Sequence, residues 1–110
     1  MPRASTSSAE RARAAEQLRA DMSALNQEMA ESTQALADIE ARAATAEGRA
    51  MKAIHASDDC AARVALLEQL SYVEKAATLA ADLKVLRAIL DECHRFASEL
   101  SESAPSEPLV

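Results

Sequence analysis

The chain has almost none of the residues that usually fill a small hydrophobic core. Among its 110 residues there is no tryptophan, one phenylalanine (Phe96) and one tyrosine (Tyr72). Aromatic side chains bury about 150–250 Å² each, so their near-absence leaves little to build a self-contained core. The three prolines all lie near the termini, and the single glycine, Gly48, is the one turn-forming residue of that kind in the interior. Alternating β-branched and polar residues are missing, as are Asn-Gly and Asp-Gly turns, so the sequence predicts no strands. The longest stretches free of charge run six residues, for example Ala76 to Ala81, against the ~20 apolar residues that a membrane-spanning helix needs.

Other absences bear on chemistry. There is no P-loop, no Gly-x-Ser-x-Gly and no zinc-type spacing. The two histidines, His55 and His94, are poorly placed for a shared ion. Cys93 and His94 are neighbours that point about 100° apart on a helix, and Cys60 is five residues beyond His55. The acid pairs Asp58-Asp59 and Asp91-Glu92 have no Gly-rich loop or apolar concavity beside them to shift their pKa values, and they read as helix-start and solvated acids. The expectation is a non-enzymatic protein without a cofactor or bound metal. Cys60 and Cys93 read as free thiols packed as small apolar groups.

Charge excludes another class. Lys and Arg number 7 against 8 Asp and Glu in residues 1–56, and 5 against 10 in residues 57–110, for a net charge of −6. The acidic second half would be repelled by nucleic acid, and no basic stripe interleaved with aromatics offsets it. The N-terminus carries Arg3 and several serines, but Glu10 and Glu16 follow too soon for a presequence, and no apolar secretory segment is visible. A cytoplasmic location is expected.

What the chain has in abundance is alanine, 27 residues of it, among other strong helix formers. Leu18, Met22, Leu25, Met29, Ser32, Leu36, Ile39, Ala43, Ala46, Ala50 and Ala53 follow one another in alternating steps of 4 and 3. That is a heptad seam, narrower than the face of a globular amphipathic helix. Its first half uses Leu, Met and Ile, and its second half uses only alanine. Such a stretch compensates for lost burial only by letting a partner helix approach closely, or else it is the weak part of a rod.

The fold class expected is all-α, with long coiled-coil helices in two segments broken or kinked around Ser57, Asp58 and Asp59. Ser7 and Glu10 make a Ser-x-x-Glu capping box that starts the first helix. Residues 1–7 are expected to be a disordered lead, 8–56 the first helix, 60–102 the second and 103–110 a disordered tail carrying Pro105 and Pro108. Ser57 and the two acids after it make a helix-start pattern, but no Gly or Pro enforces a turn. A hairpin, a kink and a straight helix of about 140 Å all remain open.

In the second segment Leu66, Leu70 and Val73 share one row, and Leu79, Leu83, Leu86, Leu90, Cys93, Ala97 and Leu100 share another in steps of 4 and 3. The two rows do not join in one heptad phase, which predicts a shift of the contact face between Val73 and Leu79. Val85, Ile89 and Phe96 form a further stripe beside the second row. So wide a face suggests a bundle of three or more helices, with burial supplied by other helical chains. Tyr72 is either an interface anchor or a residue of the bundle rim. Met22 and Met29 sit on the first seam and read as core filling rather than as a Met-lined binding groove. The residues expected to meet partners are Leu18, Met22, Leu25, Met29, Leu36, Ile39, Leu66, Leu70, Tyr72, Val73, Leu79, Leu83, Leu86, Ile89, Leu90, Cys93, Phe96 and Leu100.

Tyr72-Val73-Glu74-Lys75, followed by Leu83, Val85, Leu86 and the closing Ile89-Leu90 pair, resembles the C-terminal helix of the Snapin family. That family has a Pro before the Tyr, where this chain has Ser71. The resemblance implies a small helical subunit of complexes that build lysosome-related organelles and position lysosomes. It also implies a place on the cytosolic face of endosomal or lysosomal membranes, with at most peripheral association through the complex. The first expectation is thus a subunit of a hetero-oligomeric helical complex acting as a trafficking adaptor. The alternatives are a homodimeric cytoskeletal or spacer coiled coil, a small helical chaperone, and an amphipathic coat on a lipid or polymer surface.

Overall fold

The computed structural model describes residues 8–103. They form two helices, α1 (Ser8–His55) and α2 (Asp59–Ser103), with no strand among the described residues. The fold is all-α and coiled-coil-like, and the break falls at the expected place. Residues 1–7, 104–110 and the Ser7 cap lie outside the described residues. Ser103, expected to open the tail, is the last residue of α2.

The link between the helices is a tight reversal made without glycine. Ser57 takes a positive φ of 58°, the left-handed conformation that helices commonly adopt just past their C-termini. The Ser57 N–H donates to the Ile54 carbonyl at 3.0 Å, and the Asp58 N–H donates to the Ala53 carbonyl at 2.8 Å. These are the two bonds of a Schellman motif, and they satisfy carbonyls that the end of α1 would otherwise leave unpaired. Asp58 also caps α2. Its side-chain Oδ1 accepts from the Ala61 N–H at 3.1 Å, and its carbonyl accepts the first helical bond, from the Ala62 N–H at 2.9 Å. One residue thus closes the first helix and opens the second. Lys52 and His55 in the last turn of α1, and Asp59 in the first turn of α2, have the side-chain types that suit the two helix dipoles.

The described chain divides into two units. The turn unit, Met29–Val85, is an antiparallel helical hairpin. Its α1 seam is Met29, Ser32, Leu36, Ile39, Ala43, Ala46, Ala50 and Ala53, each buried or half-buried. Its α2 seam is Ala62, Ala65, Gln69, Tyr72, Ala76, Leu79 and Leu83, again in steps of 3 and 4. The terminal unit pairs the first part of α1 with the last part of α2. Its seams are Arg11, Ala15, Leu18, Met22 and Leu25 on one helix, and Leu86, Leu90, Cys93, Ala97 and Leu100 on the other.

The burial pattern corrects the expected shift of contact face. The seam of α2 keeps a single heptad phase from Ala62 to Leu100. Leu66, Leu70 and Val73, taken as a first register, stand off it and are 47%, 53% and 50% exposed. The true seam residues there are alanines with Gln69 and Tyr72, which size alone does not single out.

Next to the reversal the seam is all alanine, and it is the best-buried part of the fold. Ala46 is 0% exposed, and Ala50, Ala62 and Ala65 are also buried. An alanine side chain reaches no further than its own methyl, so burial there means that the facing helix packs directly over it, and small side chains at these positions permit a close approach. Among the described residues no large side chain is completely buried; Leu18 and Leu83 come nearest. At the edge of the seam Arg49 pairs with Glu68 at 2.5 Å. Both are about half exposed, so the pair contributes about 0–1 kcal/mol. It marks how the two helices are aligned and adds little to stability.

Two predictions follow from this packing. Replacing Ala46 with Leu is expected to destabilise the hairpin by about 1–3 kcal/mol through overpacking, whereas the exposed Ala44→Leu is expected to be nearly silent; thermal melts followed by circular dichroism would compare them. Ser57→Gly should relieve the left-handed strain and raise stability by about 1 kcal/mol, and an unchanged or lowered melting temperature would count against the reversal as described.

Candidate functional site

With a and d naming the seam, positions e and b lie on one flank of a coiled-coil helix and g and c on the other. Arg49 and Glu68 are both g residues, and their ion pair puts the g/c flanks of the two helices on one side of the turn unit. The e/b flanks therefore share the opposite side. On this frame most of the exposed aliphatic side chains of the turn unit fall on the e/b side, while Val64 and Val85 are c residues and Leu67 is an f residue on the outer surface of α2.

On the e/b side of the turn unit lie Met51 and Ile54 of α1 with Leu66, Leu70 and Val73 of α2, each roughly half exposed. Exposed Ala30, Ala37 and Ala44 fill the b positions of α1, and exposed Ala77 continues the row on α2. Exposed Glu40 and Glu47 occupy e positions of α1, and exposed Arg63 and Lys84 occupy b positions of α2. No polar side chain in this face is buried, since the described residues contain no buried polar or charged group.

The g/c side of the turn unit is polar by comparison. Tyr72 is half-buried on the seam and borders a small groove with Ala41, Arg42, Thr45 and Arg49. Lys75 Nζ stands 5.7 Å from its ring centroid, a cation–π distance. A wider groove beside the reversal is lined by Arg49, Lys52, Asp58, Cys60, Ala61, Val64, Ala65 and Glu68. Cys60 is exposed there, not packed as a small apolar group as expected, while Cys93 is half-buried; both thiols are free.

In the terminal unit, Leu18 is flanked by two grooves. One, of about 420 Å³, is lined by Ala12, Ala15, Leu18, Met22, Ala97 and Leu100, with Ser8, Arg11, Arg19 and Ser101 also at its wall. The other is lined by Leu18, Ile89, Cys93 and Phe96 together with Glu92, Arg95 and Glu99. Ile89 and Phe96 occupy g positions, where coiled coils usually carry charge, and are 44% and 51% exposed. Arg95 and Glu92 pair on the same surface.

The residues singled out as partner-binding thus fall into two groups. Leu18, Met22, Leu25, Met29, Leu36, Ile39, Tyr72, Leu79, Leu83, Leu86, Leu90, Cys93 and Leu100 lie on the seams, packed between the chain's own two helices within their units. Leu66, Leu70, Val73, Ile89 and Phe96 lie outside them and face solvent. Met51, Ile54, Val64 and Leu67 are further exposed aliphatic residues that belong to none of the rows visible in the sequence, because no heptad row of large residues runs through them. Their exposure becomes visible only when the alanine seam is recognised as the buried one.

What the exposed aliphatic side chains offer is apolar contact. Among the described residues, no group of three His, Cys, Asp or Glu side chains is arranged to hold a metal, and no described helix is long and apolar enough to cross a membrane. Compared with known proteins, the chain matches no family model, no curated protein and no solved structure.

Proposed function

We propose that the protein is a non-catalytic coiled-coil subunit of a hetero-oligomeric helical complex. The observation that carries this reading is the set of aliphatic and aromatic side chains left half exposed outside the seam, from Met51 to Phe96. Fully burying a Leu, Ile, Val or Phe side chain contributes about 1.5–3 kcal/mol relative to leaving it exposed. Docked helices would recover much of that at each of these positions, and single scattered exposures of this kind need no explanation whereas aligned ones do. The alanine seam supports the same view, since it gives the hairpin a thin interior and leaves its larger aliphatic residues outward.

The finer role is an adaptor in vesicle or lysosome-related organelle traffic, at the cytosolic face of the membrane. Its support is the Snapin-like run from Tyr72 to Leu90. In that run Leu83, Leu86 and Leu90 belong to the seam, while Val73, Val85 and Ile89 are exposed. The matched segment therefore combines residues that hold the hairpin with residues free to meet another helix.

Affinity purification from the native cell, at mild salt, tests the reading. The wild-type chain is expected to bring down small helical proteins. The double variant Ile89→Asp with Phe96→Asp is expected to lose them while keeping its helical circular dichroism, because both side chains are already solvent-exposed. Asp91→Ala should retain both properties. A wild-type chain that comes down alone and melts sharply as a monomer, at a temperature independent of concentration, would overturn the proposal.

A further inference from the structure

The e/b face of the turn unit has an asymmetric charge pattern that restricts what can cover it. Its α1 column carries acid, Glu40 and Glu47, one heptad apart and separated by Ala44. Its α2 column carries the bulk, Leu66, Leu70 and Val73, between the basic residues Arg63 and Lys84. The Arg49–Glu68 pair lies on the opposite, g/c side of the same seam. By the seam, Glu47 falls beside Leu66 and Leu70 of α2 and Glu40, one heptad back, beside Val73 and Ala77.

A second copy stacked face to face is disfavoured in both two-fold arrangements. If the copies run antiparallel, α1 lies over α1 and the four glutamates share one surface, and like charges brought together are repulsive. If they run parallel, α1 of each copy covers α2 of the other, and Glu40 and Glu47 fall on the aliphatic stretch from Leu66 to Ala77, inside the basic residues Arg63 and Lys84 at its two ends. Carboxylates buried on aliphatic side chains without a partner are costly. A helix of different sequence has neither problem.

We propose that this face receives one helix of another protein, seated between α1 and α2. Its apolar stripe lies on Leu66, Leu70 and Val73, and a lysine- or arginine-bearing edge meets Glu40 and Glu47. The alanines on α1 leave room for that helix to lie close, and acidic residues on its other edge would suit Arg63 and Lys84. This assignment rests on the complex-subunit reading and names the chemistry of one partner.

Two synthetic three-heptad peptides test it against the full-length chain by fluorescence anisotropy, at concentrations where each peptide alone is monomeric. Both have leucine at a and d; one carries lysine on one edge and glutamate on the other, and the second carries glutamate on both. The lysine-edged peptide is expected to bind about tenfold more tightly, the effect of two rim charge pairs. Glu40→Lys combined with Glu47→Lys should reverse the preference, and Leu70→Asp should remove binding of both peptides without loss of helical circular dichroism. Equal binding of the two peptides overturns the charge assignment and leaves the complex-subunit reading standing. Self-association of the chain that Leu70→Asp abolishes would overturn it too, by giving the face to a second copy. Failure of both peptides to bind overturns the docking assignment, and where the chain is also a sharply melting monomer it removes the complex-subunit reading with it.

Discussion

The packing of the two helices against each other at Ala46, Ala50, Ala62 and Ala65 is the contact on which the turn unit depends. Alanine contributes little apolar area, so this part of the seam is held by proximity and not by bulk. Proximity in turn requires a reversal short enough to bring the helices together at once. Ser57 in the left-handed region and Asp58 as shared cap supply it. The reversal and the alanines therefore act as one device: a longer loop would separate the helices, and larger side chains would hold them apart.

A thin interior has a consequence for the outer surface. In an ordinary hairpin the largest aliphatic residues occupy the seam and the flanks carry charge. Around residues 62–76 the seam of α2 holds alanines with Gln69 and Tyr72, while Leu66, Leu70 and Val73 occupy flanking positions. In the terminal unit Ile89 and Phe96 replace charge at g positions. The hydrophobic residues a helix pair would normally use internally are displayed outward, and it is this arrangement that supports the proposed packing by other helices. The charges around them, acidic on α1 and basic on α2 across the e/b face, give that surface a direction as well as an apolar character.

Much of the fold was legible without coordinates. The seam of α1 from Leu18 to Ala53 was visible because its steps of 4 and 3 run unbroken, and the break near Ser57 because a capping aspartate and a second acid follow it. The α2 seam was misread at its start. Leucines and valines were assumed to mark the buried row, and that assumption fails where the buried row is alanine. The candidate site was legible to the same degree: Ile89 and Phe96 were recognised as an extra stripe, whereas Met51 and Ile54 went unremarked.

Composition and spacing alone determined that the chain is helical, that it carries heptad seams and that it is too poor in bulky residues for a thick core. Those properties are local, since propensity and periodicity belong to each helix separately. Only the tertiary structure decided that the chain turns back on itself, which row of α2 faces inward, and that Glu40 and Glu47 share a surface with Leu66 and Leu70. Those outcomes depend on residues far apart in sequence meeting in one register. Small side chains permit several registers, and the choice among them is made by the reversal at Ser57 and the cross-helix fit of Ala46 and Ala50 with Ala62 and Ala65.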